Sequence, residues 1–256
     1  MYTKEPKLTV VGAGPGDRDL ITIKALKVLK SADVVLYDAL VNPELLDYIN
    51  PNAEQIFVGK RRGCYHYKQE QINDLIVSRA NSHGHVVRLK GGDPFIFGRG
   101  AEEMEFAAGF GIKTAVVPGI SSSLAVPAYQ NIPLTKRGSS ESFWVITGTT
   151  KTHQISSDVA LAAKSSATVV VLMGMGKLPE IVKLFQDEGK NKLPVAIIQD
   201  GTTAKEKVGV GTVDSILSIV KKQGLSNPAI IVFGEVVNHR QQLMSIQEQG
   251  VKLEMS

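Results

Sequence analysis

Short apolar runs alternate along the chain with longer stretches whose apolar residues recur every three or four positions. Leu8–Val11 is such a run, and it opens directly into Gly12-Ala-Gly-Pro-Gly-Asp17. Apolar residues at positions 20, 21, 23, 26 and 29 then follow with helical spacing, which predicts a helix over Leu20–Leu29. Asp33–Tyr37, Ile56–Val58, Val86–Leu89 and Thr114–Val117 read as further strands, and Gln69–Ser82 and Ala101–Ala108 as helices. Strands that alternate with helices predict a mostly parallel sheet.

The second half has a different texture. Phe143–Thr147, Val169–Leu172, Val195–Ile198 and Ile230–Phe233 read as strands, with an additional, antiparallel strand expected at Lys205–Gly211. Leu178–Glu188 and Val213–Gln223 read as helices. Pro133–Ser142 is polar and carries a proline, a glycine and three serines, so the linker is expected there. The chain is thus read as two α/β domains, 1–134 and 135–256. A cleft between two such domains is the default ligand site.

Composition narrows the class. Of 256 residues, 43% are hydrophobic and 21% charged, which excludes a disordered or coiled-coil chain. Cys64 stands alone, so no intrachain disulfide or four-cysteine zinc site can form, and a reducing, cytoplasmic setting is expected. The longest apolar runs are too short to span a bilayer, and the N-terminus lacks the apolar stretch of a secretory signal. A net charge of +4 points to neither nucleic-acid wrapping nor a polybasic membrane anchor, but suits an acidic small molecule if the charge is concentrated. The histidines at 66, 83, 85, 153 and 239 lack the spacing of a metal site, and none is expected.

Six glycine-marked segments and one strand-end acid carry the candidate chemistry. Gly12–Asp17 follows a strand, as a dinucleotide fingerprint would, but Asp17 stands where the last glycine belongs and Pro15 removes an N–H. Asp38 ends the next strand, where such an enzyme keeps its ribose acid; a general base or a simple turn residue fits equally. In Val58-Gly-Lys-Arg-Arg-Gly63 three adjacent cations call for an anionic partner, with Lys60 as a proton donor or clamp and Arg61 as a carboxylate fork. Arg88-Leu-Lys-Gly-Gly-Asp-Pro-Phe-Ile-Phe-Gly-Arg-Gly100 brings backbone amides and Asp93 to a ligand, with Phe95 and Ile96 able to pack on a flat ring. Val117-Pro-Gly-Ile-Ser-Ser-Ser123 opens a helix with small hydroxyl residues, and Met173-Gly-Met-Gly176 and Gln199-Asp-Gly-Thr202 end strands of the second half.

These strings, with Val35-Leu-Tyr-Asp-Ala-Leu-Val41 and Ile132-Pro-Leu-Thr135, occur in an order that strongly resembles the tetrapyrrole methylase family, S-adenosylmethionine-dependent enzymes of cobalamin and sirohaem synthesis. The resemblance spans about residues 8 to 240 and is strongest to stand-alone members acting on uroporphyrinogen III. It implies two α/β domains with mixed, mostly parallel sheets, an active site in the trough between them, and a homodimer. It implies S-adenosyl-L-methionine as donor, S-adenosyl-L-homocysteine as by-product, and two methyl transfers that give precorrin-2. By matching positions, Pro15, Gly91, Gly92, Asp93, Ile96, Ser121, Ser122, Met173 and Gly201 would surround the cofactor. Asp38 would accept a proton and Lys60 donate one. Ser121-Ser122 replaces a commoner Thr-Ala pair, and Lys136 stands where histidine is common.

The chemistry is consistent with that implication. A pyrrole carbon is an enamine-like nucleophile, so methyl transfer needs alignment and dryness more than acid–base help. A carboxylate near the macrocycle can take the proton lost afterwards. The substrate's eight carboxylates call for a cationic rim, for which Arg61, Arg88, Arg99, Lys136 and Arg137 are the candidates. Rival readings are a nicotinamide-dependent oxidoreductase, a methylase of a later corrin intermediate, and a non-catalytic binding protein on the same fold.

Overall fold

The computed structural model describes residues 4–59 and 67–254, with side chains up to residue 249. These form two compact units that divide between Ser121 and Ser122.

The first unit is built on β1 (Lys7–Gly12), β2 (Val34–Tyr37), β3 (Glu54–Phe57), β4 (His85–Lys90) and β5 (Lys113–Val117). They form one sheet in the order β3-β2-β4-β1-β5, and every pairing in it is parallel. Helices α1 (Ile23–Lys30), α2 (Gln69–His83) and α3 (Gly100–Gly109) supply the crossovers. The helix expected from Leu20 starts at Ile23 because the Thr22 side chain accepts from the Ala25 N–H at 3.1 Å and caps it. Both faces of the central strands are buried, which is why these strands read as mainly apolar runs. Val11, Val35, Val87 and Leu89 pack with Leu29 of α1 on one face. Leu8, Val10, Leu36 and Val86 pack with Ile76 of α2 and Ala107 of α3 on the other.

The second unit carries β6 (Phe143–Thr147), β7 (Thr168–Leu172), β8 (Pro194–Gln199), β9 (Lys207–Thr212) and β10 (Ala229–Phe233), in the order β6-β7-β10-β8-β9. Here β6 and β7 are parallel, and β10 and β9 run antiparallel to their neighbours, so the mixed character expected of the fold sits in this sheet. Its helices are α4 (Ser122–Tyr129), α5 (Ser157–Lys164), α6 (Leu178–Asp187), α7 (Ile216–Gln223) and α8 (His239–Glu254). Phe185 of α6 stacks on Phe233 of β10 with centroids 4.1 Å apart.

The boundary therefore differs from the expected 134/135. Val126 of α4 and Ile132 are buried with Val170, Ala196, Ile198 and Val232, which ties residues 122–134 to the second sheet. Pro133–Ser142, though mostly exposed, is held within the second unit. Lys136 bridges to Ser140, and the buried Ser140 hydroxyl oxygen accepts from the Thr168 hydroxyl at 2.9 Å.

Candidate active site at the carboxyl edge of the first sheet

A parallel sheet brings the carboxyl ends of its strands to one edge, where α/β folds place ligands. Here that edge gathers Gly12 after β1, Asp38 after β2, Gly91-Gly92-Asp93 after β4 and Gly119 after β5. The loops meet main chain to main chain. Gly14 and Gly92 exchange hydrogen bonds, 3.2 Å from Gly14 N–H and 2.7 Å from Gly92 N–H. A Cβ on Gly12 would lie 2.4 Å from the Gly119 nitrogen, and one on Gly119 would lie 2.3 Å from the Gly92 oxygen. Only glycine lets three loops approach this closely.

Asp93 organises this junction. Its carboxylate accepts from the Phe95 N–H at 2.8 Å and from the Gly119 N–H at 3.1 Å, so it joins the β4 loop to the β5 loop. The Asn42 side chain donates to the Gly16 carbonyl at 2.8 Å and anchors the loop that holds the half-buried Pro15. Beyond Asp93 the chain exposes Phe95, Ile96 and Phe97 in a row. Phe97 and Arg99 adopt left-handed backbone, φ 53° and 60°. For non-glycine residues this conformation costs on the order of 1–3 kcal/mol and gathers at functional sites. Arg99 pairs with Glu102 one turn on, and both are about half exposed.

Beneath the edge lies a chain of charges. Arg88 of β4 is 3% exposed. Its Nη2 donates to Asp38 Oδ1 at 2.8 Å, its Nε to Glu103 Oε1 of α3 at 3.1 Å, and its Nη1 to the carbonyls of Leu89 and Leu36. Lys90, two residues along the same strand face, donates to the same Glu103 oxygen at 3.1 Å. Burial alone would lower the Arg88 pKa, but Asp38 and Glu103 outweigh it and hold the guanidinium above its ordinary value. Lys90 is lowered, first by burial and then by the charge of Arg88.

Arg88 is thereby removed from the expected cationic rim. Its guanidinium is buried and bonded to protein acceptors at Nε, Nη1 and Nη2, which does not suit a contact on an exposed rim. Lys60 and Arg61 lie outside the described residues. Glu103 and Lys90 are the groups that sequence reasoning missed. Their signal was present: two cations at alternate positions of an otherwise apolar strand demand a buried counter-ion.

In the second unit, β10 runs antiparallel between β7 and β8, with Leu172 and Ile198 both facing Ile230, so β7 and β8 end at one edge. Met173 stands there, exposed and left-handed at φ 54°. Gly201 lies between Asp200 at φ 48° and Thr202 at φ 63°, its Cα packed so tightly on Val126 that a Cβ would fall 2.4 Å from a methyl. Ser121 is buried and Ser122 half-buried at the start of α4. Lys136 and Arg137 are exposed, and the Lys136 amine lies 2.8 Å from Nδ1 of His239. Among the described residues no cluster of histidine, cysteine or carboxylates is placed to hold a metal ion, and no helix is long and apolar enough to cross a membrane.

Residues 7–217 match the family model for tetrapyrrole (corrin/porphyrin) methylases. A uroporphyrinogen-III C-methyltransferase of Methanocaldococcus jannaschii is 47% identical over 91% of this chain and 97% of its own. A siroheme synthase of Nitrosospira multiformis is 41% identical over 97% of this chain, which spans about half, 53%, of that relative. The crystal structure of a uroporphyrin-III C-methyltransferase from Thermus thermophilus, complexed with S-adenosyl homocysteine, superposes with a TM-score of 0.78 at 37% identity, over 91% of this chain and 99% of that one. The glycine junction, the strand-edge carboxylate and this breadth of similarity lead to one assignment: the chain belongs to the tetrapyrrole methylases.

Proposed function

We propose that the chain methylates uroporphyrinogen III twice, giving precorrin-2, with S-adenosyl-L-methionine as donor and S-adenosyl-L-homocysteine as by-product. The observation that carries this reading is Asp38: a partly exposed carboxylate, gripped by a buried arginine, at the same strand edge as the glycine junction. The name of the Methanocaldococcus jannaschii relative supports the substrate, and the ligand of the Thermus thermophilus structure supports the donor.

The residues present suit the donor. Gly91 and Gly92 are half-buried at the strand edge and carry no side chain, Ser121 and Ser122 are small, and Ile96 with its phenylalanine neighbours offers apolar surface to a flat ring. Bound there, S-adenosylmethionine supplies an electrophilic sulfonium methyl. Pro15, Asp93, Met173 and Gly201 are assigned to the same cofactor on family resemblance, Asp93 chiefly by shaping the loop. Asp38 accepts the proton that the macrocycle loses once the new carbon–carbon bond has formed. Lys60 is assigned as proton donor, and Arg61, Arg99, Lys136 and Arg137 as partners of the substrate carboxylates. A cytoplasmic homodimer belongs to the same reading, supported by the family resemblance and by the single cysteine; light scattering tests the oligomer. Neither nucleic acid nor a membrane enters it.

The deciding experiment is an anaerobic incubation of the protein with S-adenosylmethionine and uroporphyrinogen III, followed by product mass. Two added methyl groups are expected. Intact substrate, with donor and substrate both verified as active, overturns the reading.

A further inference from the structure

Glu103 is an expensive residue for a scaffold. Its side chain is wholly buried, and Oε1 collects Arg88, Lys90 and Gln69, each at 3.1 Å. Oε2 has no hydrogen-bond partner among the described residues. Burying an ion costs several kcal/mol even after relaxation, and apolar residues of similar volume often stabilise a core at least as well. Arg88 shows what this burial achieves. Its guanidinium is held from three directions, by Glu103 at Nε, by the Leu36 and Leu89 carbonyls at Nη1, and by Asp38 at Nη2. The fork is planar, so fixing two corners fixes the third. Lys90 and Arg88 together balance Glu103 and Asp38, leaving this buried group of four neutral overall. Three of the four are inside the protein. Asp38 alone is open to the edge, with a side chain 27% exposed.

We propose that Arg88 is a positioning residue for Asp38, locked by Glu103, and that this buried relay fixes one carboxylate oxygen so the other faces the reacting macrocycle. The proposal rests on Asp38 being the proton acceptor. An arginine suits the task because it stays protonated. It orients Asp38 without competing for the proton, which a histidine or a depressed lysine in its place would do.

The test is a double-mutant cycle. Arg88→Lys keeps a nitrogen donor and removes the fork; Glu103→Gln keeps the shape and removes the charge that locks it. Each is made alone and combined with Asp38→Asn. The measurements are kcat, KM for uroporphyrinogen III under anaerobic conditions, cofactor affinity by calorimetry, and the melting temperature. Arg88→Lys is expected to lower kcat at least tenfold, and Glu103→Gln severalfold, with KM and cofactor affinity unchanged. Neither should slow the Asp38→Asn protein further. Should Arg88→Lys not fold, Glu103→Gln carries the same cycle.

Losses that multiply with that of Asp38→Asn overturn the positioning role and leave the acceptor reading intact. So does a lowered melting temperature with kcat unchanged, which marks a purely structural ion pair. Wild-type turnover in Asp38→Asn alone overturns both.

Discussion

At Asp38 one carboxylate oxygen is committed to Arg88 at 2.8 Å, while the main-chain carbonyl accepts from the Val41 N–H in a turn. The residue thus has a local structural task besides the proposed chemical one, and substitution separates them. Asp38→Asn keeps size and polarity and loses basicity. Turnover is expected to fall roughly 10²-fold or more, the scale of a lost general base, with cofactor affinity unchanged by calorimetry. Wild-type turnover would leave Asp38 as the turn residue alone. Gly92 offers the complementary test on the cofactor side. Its φ of 66° is a region that β-branched residues avoid. Gly92→Val should weaken cofactor binding by about 1–3 kcal/mol, the scale of overpacking. Unchanged affinity in a folded variant would detach this loop from the cofactor. Residue identity was legible in the sequence wherever a glycine or a turn acid marked a strand end. The environment of Arg88 was not, because a cation in a motif looks the same on a rim as in a core until its neighbours are known.

Among the elements, the crossovers of the first unit were readable because strands buried on both faces give compact apolar runs, and glycines mark their ends. The second unit hid two helices. In α5 the buried face consists of Val159, Ala162 and Ala163, too weak an apolar signal to stand out. In α8 polar residues dominate, so no stripe marks it. The Pro133–Ser142 segment misled for another reason: one of its serines, Ser140, is buried and bonded to the segment itself and to the start of β7. Ser140 Oγ donates to the Ser142 carbonyl at 2.9 Å and accepts from the Thr168 hydroxyl and N–H. Ser140→Ala leaves the buried Thr168 hydroxyl without that acceptor. A loss of about 1–3 kcal/mol in stability is expected, read as an earlier denaturant midpoint with the slope unchanged. A midpoint equal to wild type would show that the segment is not held there.

Across the first unit, the proposed chemistry and the expected acid sensitivity fall at opposite ends of the sheet. His85 opens β4 at the amino edge, five residues before Lys90 at the other. The Ser31 carbonyl 3.2 Å from Nδ1 can only accept, so Nδ1 carries the hydrogen and the Thr9 hydroxyl donates to Nε2 at 2.8 Å. Burial lowers the His85 pKa, against a smaller opposing effect of the Ser31 carbonyl. The unfolded chain therefore takes up this proton first. The stability that neutral His85 contributes is complete above about pH 6.5 and declines as pH falls below it, until the folded pKa is passed. His85→Gln should flatten this limb of a stability–pH curve while leaving kcat unchanged. A variant curve as steep as wild type places the acid sensitivity elsewhere.

The three-glycine junction has a consequence for how the protein can change. The atoms facing a new methyl at Gly119 are main-chain atoms of Gly12 and Gly92, and no shorter side chain exists there to make room. Damage at this point has no local remedy. A genetic selection for restored activity in Gly119→Ala should return the original glycine codon again and again, whereas Ser140→Ala, where a side chain, that of Thr168, is among the partners of the lost hydroxyl, should yield second-site suppressors. Heritable variation in this enzyme is thereby steered away from the carboxyl edge of the first sheet, however freely the outer helices drift.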